Sequence, residues 1–139
     1  MKEILEKINA YFKDIQPVYF ATAKENQPFV RPVTLISLGG DFFVVTSTND
    51  AKVKQLKSNA KFEYCLPLFA EENAGYIRGK GEIKFITDKS KKEYLFKNVV
   101  FIRNFWKSPD DEDFEVLKLE IKAYELMVPG EILSTKITL

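Results

Sequence analysis

The spacing of apolar residues along the chain predicts three helices set among strands. Apolar side chains recur at helical spacing over residues 2–13, and Pro17 is expected to end that helix. Asn49 or Asp50 is suited to cap a second, short helix, and Asp88 is suited to cap a third. Three short helices are therefore expected, with strands between them.

The other segments have the composition and alternation of β-strands. Residues 39–41, Gly-Gly-Asp, are typical of a tight turn between antiparallel strands. Gly79 and Gly81 lie inside one strand and predict a bend or a close approach of another backbone. The predicted strands are 18–23, 29–37, 42–48, 61–68, 76–86, 117–123 and 131–138. This pattern predicts a mainly β fold in a single domain over residues 1–139, a six- to seven-stranded antiparallel barrel decorated with helices.

Composition excludes several classes of function. The chain has 21 Lys and Arg against 20 Asp and Glu, and this balance does not support a nucleic-acid partner. There is no histidine, which removes Ser-His-Asp and Cys-His catalysis, His-ligated haem and most zinc sites. We therefore expect no metal site and no nucleic-acid binding.

The chain also has features expected of a cytoplasmic protein. Its single cysteine, Cys65, cannot form an intrachain disulfide and is interpreted as a buried, unreactive thiol. The N-terminal residues include acidic side chains and no signal-peptide core, and no apolar run has membrane-spanning length. We expect a cytoplasmic location and no membrane association.

Arg31 is a charged residue inside an otherwise apolar strand. Both faces of residues 29–36 are mostly apolar, so this strand is predicted to be buried on both sides. A buried guanidinium needs a partner, which is either an acidic side chain or a ligand phosphate. Pro32 lacks a backbone N–H, so we expect an edge or a bulge here, with neighbouring backbone groups left free for a planar ligand.

A second candidate element lies one hairpin later, at the strand end formed by Thr46, Ser47 and Thr48. It leads into the N-terminus of a helix, where unpaired N–H groups and the helix dipole favour an anion. Lys52 is in the first turn, where a cation is unfavourable unless an anion binds beside it. The alternative is an ordinary strand end whose hydroxyls bond locally. The nearness of Arg31 favours an anion site.

Several segments, taken in order, carry a family resemblance. After an N-terminal helix and a strand at 18–23, they include Gln27-Pro28-x-x-Arg31-Pro32-Val33, Thr46-Ser47, Lys52-Val53-Lys54-Gln55-Leu56 and Tyr76-Ile77-Arg78-Gly79-Lys80-Gly81. Here the chain resembles the pyridoxamine 5'-phosphate oxidase-like FMN-binding split-barrel family, above all its short, general-stress-protein-like members. The resemblance covers nearly the whole chain.

The resemblance implies a homodimer with FMN at the subunit interface, and a flavin-reductase-like oxidoreduction with NAD(P)H as a donor. The resemblance implies that the phosphate is bound by two cations, Arg31 and Lys52, and by the two hydroxyl residues Thr46 and Ser47. It implies that Pro32, Val33 and Thr34 lie along the isoalloxazine ring. Trp106 could cover the partner's flavin and Arg103 could meet a substrate anion, or this aromatic segment could pack the last helix against the barrel.

The chain departs from the founding enzyme of that family. The C-terminal segment that holds pyridoxine phosphate has no counterpart here, and Ile36 stands where a flavin-contacting lysine is expected. Oxidation of pyridoxamine phosphate is therefore not expected. Two alternatives stay open. One is a deazaflavin (F420) or other phosphorylated cofactor on the same barrel, and the other is a non-enzymatic barrel that binds a partner.

Overall fold

The computed structural model describes residues 1–139. The strands are β1 Ile15–Lys24, β2 Gln27–Leu38, β3 Asp41–Ser47, β4 Lys61–Ala70, β5 Asn73–Ile86, β6 Phe114–Met127 and β7 Thr135–Thr138. The helices are α1 Lys2–Asn9, α2 Ala51–Ser58 and α3 Lys89–Asn98, followed by a 3-10 helix at Val100–Asn104. All strand pairs are antiparallel, so the predicted mainly β fold is confirmed.

The sheet closes on itself as a barrel. Its strand order is β3-β2-β1-β4-β5-β6-β7, and β3 also pairs with β6. The strands β3 and β7 share one edge of β6, because β3 pairs with residues 114–119 and β7 with residues 123–126. One apolar cluster joins the strands to α1 and α2, and a second, which includes Trp106, joins α3 and the 3-10 helix to the barrel.

The barrel is split between β2 and β3. These strands pair only between residues 36–38 and residues 41–43. Beyond that point β2 continues alongside β1 and β3 continues alongside β6, so the two strands diverge. The edge of β2 that faces away from β1 therefore has no strand partner over residues 27–35. Pro32 lies on this unpaired edge, as predicted, where its missing N–H costs no hydrogen bond of a ladder.

Two glycines of β5 mark close approaches, and at Gly81 the neighbour is another backbone, as predicted, whereas at Gly79 it is a side chain. A Cβ on Gly79 would lie 2.5 Å from the ring of Tyr64, and a Cβ on Gly81 would lie 1.8 Å from the backbone oxygen of Glu120. The pairing register of β5 with β6 shifts between Lys80 and Gly81. Only residues without a side chain allow the strands to meet this closely.

The two later helices begin as the sequence predicts. Asp50 Oδ1 accepts a hydrogen bond from the N–H of Lys52 at 3.0 Å, and Asp88 Oδ1 accepts one from the N–H of Ser90 at 3.2 Å. The first helix ends at Asn9, earlier than predicted. No helix combines the length and the apolar character needed to cross a bilayer. The predicted cytoplasmic location stays a prediction.

The structure corrects the role of Pro17 and the start of the last strand. Pro17 does not end a helix but lies within β1, opposite Thr34. It is tolerated there because β4 pairs only with residues 19–21 of β1 and leaves the rest of that edge free. The last strand begins at Thr135 rather than at residue 131, because the segment before it forms the turn that returns the chain to β6.

The prediction that β2 is buried on both faces is wrong. Val30 is 69% exposed, and Pro32 and Thr34 are exposed as well. Further along the strand Leu35 and Ile36 are buried. In a single chain the first half of β2 thus exposes apolar side chains to solvent, because no other element of the chain covers its outer face.

Candidate functional site

A cleft of about 610 Å³ lies where β2 and β3 diverge. Its volume is within the range of about 300–1,000 Å³ that is typical of small-molecule sites. Of the eight residues predicted to contact a cofactor, all except Arg31 line it. They are Pro32, Val33, Thr34, Thr46, Ser47, Lys52 and Trp106. The remaining lining residues are Val45, Phe101, Phe105 and Asp113.

Lys52 brings a buried ammonium group to the cleft. Its side chain is 8% exposed, and Nζ donates to Thr46 Oγ1 at 2.8 Å and lies 3.0 Å from Asp50 Oδ1. An ammonium has three N–H groups, so one remains for a ligand after these two contacts. Because Thr46 Oγ1 accepts from Lys52, the hydroxyl proton of Thr46 is also free to be donated. Together the two side chains can offer two donors to an anion.

Asp50 offsets the unfavourable position of Lys52 at the start of α2. Burial acts to raise the pKa of Asp50, but the hydrogen bonds from the backbone and ammonium of Lys52, with the charges of Lys52 and Arg31, outweigh it and lower that pKa. Two cations and one carboxylate leave this corner with a net positive charge. The charge balance therefore favours an anion beside Lys52.

Arg31 lies outside the lining of the cleft. Its Nη1 donates to the backbone oxygen of Phe20 at 3.2 Å and to Thr22 Oγ1 at 2.9 Å, and its Nη2 donates to Gln55 Oε1 at 2.7 Å. The sequence predicted an acidic side chain or a ligand phosphate as the partner of Arg31. In the structure its hydrogen-bond acceptors are neutral oxygens instead. Burial lowers the pKa of Arg31, and the charge of Asp50 opposes that shift.

The partners of Arg31 belong to different elements of the fold. Thr22 is on β1 and Gln55 is on α2, and Thr22 Oγ1 also donates to Gln55 Oε1 at 2.7 Å. The guanidinium on β2 therefore joins two strands and a helix at one partly buried point. Since Gln55 lies one turn after Lys52 on α2, these bonds fix the helix that carries the ammonium group.

Asp113 joins Ser47 to Trp106. Ser47 Oγ donates to Asp113 Oδ1, and Trp106 Nε1 donates to Asp113 Oδ2 at 3.3 Å. Ser47 Oγ also accepts from the N–H of Asn49 at 3.3 Å. The hydroxyl proton of Ser47 is thus committed to Asp113, and its side chain has no donor left for a phosphate in this arrangement.

Three aromatic side chains, Phe101, Phe105 and Trp106, form one wall of the cleft. Trp106 is 9% exposed, and its ring centroid lies 5.0 Å from that of Phe114. Both belong to the second apolar cluster, which joins α3 and the 3-10 helix to the barrel and is called the outer apolar cluster below. Phe105 is largely exposed and lies against Trp106. Trp106 therefore packs against the barrel, one of the two roles that the sequence suggested, and it also lines the cleft, while the suggested covering of a partner's flavin stays a prediction.

Arg103 does not reach the cleft. Its Nη1 donates to the backbone oxygens of Phe96 and Lys97, at the C-terminal end of α3. Such a position favours a cation, because the last carbonyls of a helix lack partners within the helix. The structure thus gives Arg103 a structural contact and leaves its suggested meeting with a substrate anion without support.

Sequence reasoning missed Asp113 as a cleft residue. Asp113 is the last of four consecutive acidic residues, 110–113, and nothing in their local pattern separates it from the others. Only the pairing of β3 with β6, which sets Ser47 opposite Phe114, brings it next to Ser47. Phe101 and Phe105 belong to a segment that the sequence shows to be rich in aromatic residues, but no sequence signal indicates that they line a cleft.

The chain matches the family model described as pyridoxamine 5'-phosphate oxidase over residues 4–127. This chain belongs to the pyridoxamine 5'-phosphate oxidase family. The predicted family resemblance is thereby confirmed. No match is found among curated protein sequences.

Solved structures related to this family share the fold over nearly the whole chain. A NimC/NimA family protein from Clostridium acetobutylicum is 24% identical, with a TM-score of 0.76 and coverage of 100% of this chain and 92% of that one. General stress protein 26 from Bacillus anthracis is 15% identical, with a TM-score of 0.77 and 99% of both chains covered. A heme binding protein from Mycobacterium smegmatis is 16% identical, with a TM-score of 0.73 and coverage of 90% and 53%. At these identities the similarity concerns the fold.

Proposed function

We propose that this protein is an FMN-binding oxidoreductase of the flavin-reductase type and not a pyridoxamine phosphate oxidase. The observation that carries the proposal is the buried ammonium of Lys52 in the cleft, beside a hydroxyl group and the N-terminus of α2. The chain belongs to the pyridoxamine 5'-phosphate oxidase family, and its resemblance to the FMN-binding split barrels of that family supports a flavin as the ligand. Ile36, where a flavin-contacting lysine was expected, is fully buried in the outer apolar cluster.

Lys52 and Thr46 are proposed as the direct phosphate contacts. Each has a donor that no protein acceptor uses, and a hydrogen bond to a charged group is stronger than one between neutral groups. Arg31 adds positive charge and holds α2, while Ser47 is held by Asp113. A direct contact from the Ser47 hydroxyl, which the family resemblance implies, would require it to leave Asp113. Arg31 has two N–H groups without a protein acceptor, but a direct contact from it would require its side chain to reach a cleft that it does not line.

The free edge of β2 is the proposed location of the isoalloxazine ring. Pro32, Val33 and Thr34 line the cleft, and the backbone of this edge has no strand partner. Its N–H and C=O groups are available to the polar rim of a planar ligand, and Trp106 offers an apolar face. Bound FMN would supply the redox chemistry, while the protein groups bind it and set its electrostatic surroundings.

The proposal includes a homodimer with the cofactor at the interface. The face of β1 and β2 that carries Tyr19 and Val30 is apolar and exposed, and Phe69 on β4 is exposed nearby. Pro32 lies opposite Tyr19 in the sheet and also lines the cleft, so the exposed face is continuous with the site. A contiguous apolar patch of this kind marks an interaction surface. A second copy on it would shield the open side of the cleft.

Haem is a less suitable cofactor for this cleft. A structural neighbour is a heme binding protein, but this chain has no histidine, and neither Cys nor Met lines the cleft. Its lining therefore contains none of the common axial ligands of haem iron, which are His, Cys, Met and Tyr. A deazaflavin remains the second candidate, because it offers a phosphate and a planar ring to the same side chains.

The absorbance spectrum of the purified protein, with the mass of the ligand that heat releases, tests the proposal. We expect the two-banded spectrum of a flavin and the mass of FMN. Protein that has lost its cofactor should quench the fluorescence of added FMN at one molecule per subunit. A deazaflavin mass would assign the second candidate, and a colourless protein that leaves FMN fluorescence unchanged would overturn cofactor binding.

A further inference from the structure

One wall of the cleft combines aromatic rings with a carboxylate. Phe101, Phe105 and Trp106 line it together with Asp113. The carboxylate of Asp113 is held by neutral donors, the hydroxyl of Ser47 and the indole N–H of Trp106. No Lys or Arg lies within ion-pair distance of it. Its negative charge is therefore not compensated by a neighbouring cation.

The charge balance of the cleft makes this carboxylate decisive. Lys52 is the only cation that lines the cleft, and it is buried and paired with Asp50. The loop that leads to Asp113 adds three further acidic residues, of which Asp110 pairs weakly with Lys89 at 3.8 Å. Once a phosphate occupies Lys52, only negative charge remains on the lining.

We propose that Asp113 makes the aromatic wall selective for a planar aromatic ligand that is neutral or positively charged, and that it disfavours anionic ones. A cation beside this wall is attracted both by the carboxylate and by the faces of the aromatic rings, whereas an anion is repelled. Identifying this ligand as the electron partner of the flavin rests on the proposed function. The binding preference itself does not.

A matched pair of probes tests the preference: 1-methylquinolinium, a cation, and quinoline-4-carboxylate, an anion of similar shape. Equilibrium dialysis gives their affinities for the protein with bound FMN and, without FMN, in phosphate buffer, so that a phosphate is supplied to Lys52 in both cases. Trp106 is the only tryptophan of the chain, so quenching of its fluorescence shows that a probe reaches this wall. We expect the cation to bind about tenfold more tightly at low ionic strength, and this ratio to shrink as salt is added.

Substitutions connect the ratio to Asp113. D113N should bring the two affinities close together, and D113E should keep the ratio. E112Q is the control, because it removes the same charge from an exposed neighbour outside the cleft lining and should change the ratio little. Equal affinities in the wild type, or a ratio that D113N leaves unchanged in a folded protein, would overturn the proposal. If D113N does not fold, the probe ratio and its salt dependence in the wild type decide.

The result is independent of the flavin assignment. A charge preference in a protein that binds no FMN would support the inference and contradict the proposed function. FMN binding without a charge preference would do the reverse. The two proposals can therefore fail separately.

Discussion

Lys52 shows how one residue can have a local cost that the whole site reverses. A cation in the first turn of a helix opposes the helix dipole, and burial adds a desolvation cost. Asp50 and Thr46 satisfy part of the ammonium, and the last donor is left for a ligand. At the residue scale, the proposed function depends on this donor being used by a phosphate.

Replacing Lys52 by Ala should weaken FMN binding about ten- to a hundredfold, since a hydrogen bond to a charged group contributes about 1.5–3 kcal/mol. Riboflavin, which lacks the phosphate, should bind wild type and variant with similar affinity. The control is Lys54→Ala, on the exposed side of the same helix. Fluorescence titration with both flavins measures the effect. An equal loss for riboflavin would show that Lys52 does not act on the phosphate.

Asp50 should give the fold a pH dependence whose sign follows from its lowered pKa. The ionised form stabilises the fold above the ordinary carboxyl pKa of about 3.9, and this contribution is lost as the pH falls through the lower pKa of the folded state. D50N keeps an oxygen for the helix cap but cannot titrate. Because the Asp50 side chain is 42% exposed, the difference at pH 7 should be at most about 1 kcal/mol.

Urea unfolding of wild type and D50N at pH values from about 2 to 7 measures this difference. We expect the wild type to be the more stable protein at neutral pH and the two curves to converge below about pH 4. A difference that stays constant over the whole range would show that the carboxylate charge of Asp50 makes no contribution.

Arg31 acts at the scale of elements, because its bonds connect β2 to β1 and to α2. Arg31→Ala should lower the free energy of unfolding by about 1–3 kcal/mol, since it leaves the shared acceptor Gln55 with fewer donors. FMN affinity should fall less than in the Lys52 variant. Chemical unfolding and flavin titration measure the two effects.

Arg31→Lys separates the charge of this residue from its bonds. The lysine keeps the positive charge but lacks the fork that reaches several acceptors at once. We expect it to restore most of the FMN affinity and little of the stability. If Arg31→Ala instead abolishes FMN binding and leaves the free energy of unfolding unchanged, Arg31 contacts the phosphate directly.

The apolar outer face of β1 and β2 concerns the whole molecule, because it is the proposed contact surface between two copies of the chain. Val30→Glu should convert the proposed dimer into a monomer, because it places a charge in the centre of a desolvated interface. Val100→Glu is the matched control, since Val100 is 70% exposed and Val30 is 69% exposed. Sedimentation velocity distinguishes the states. A monomeric wild type would contradict the homodimer, as would a Val30→Glu variant that stays dimeric.

Most elements of the fold could be predicted from local sequence. Alternation located the strands, Asp50 and Asp88 marked helix starts, and Gly79 and Gly81 marked a close approach. These signals act over a few residues, because a side chain's face and a cap's hydrogen bond depend on neighbours in the chain. Pro17 was misread because a proline is equally compatible with a helix end and with an unpaired strand edge.

Local sequence patterns are enough to locate the strands and to find the side chains that offer phosphate chemistry. The bonding partners of those side chains depend instead on contacts between distant parts of the chain. Arg31 bonds to Gln55, 24 residues away, and Ser47 to Asp113, 66 residues away. Such contacts depend on how the barrel closes, since β3 leaves β2 and pairs with β6 instead. That divergence creates the cleft, and no local pattern of hydrophobic and polar residues encodes it.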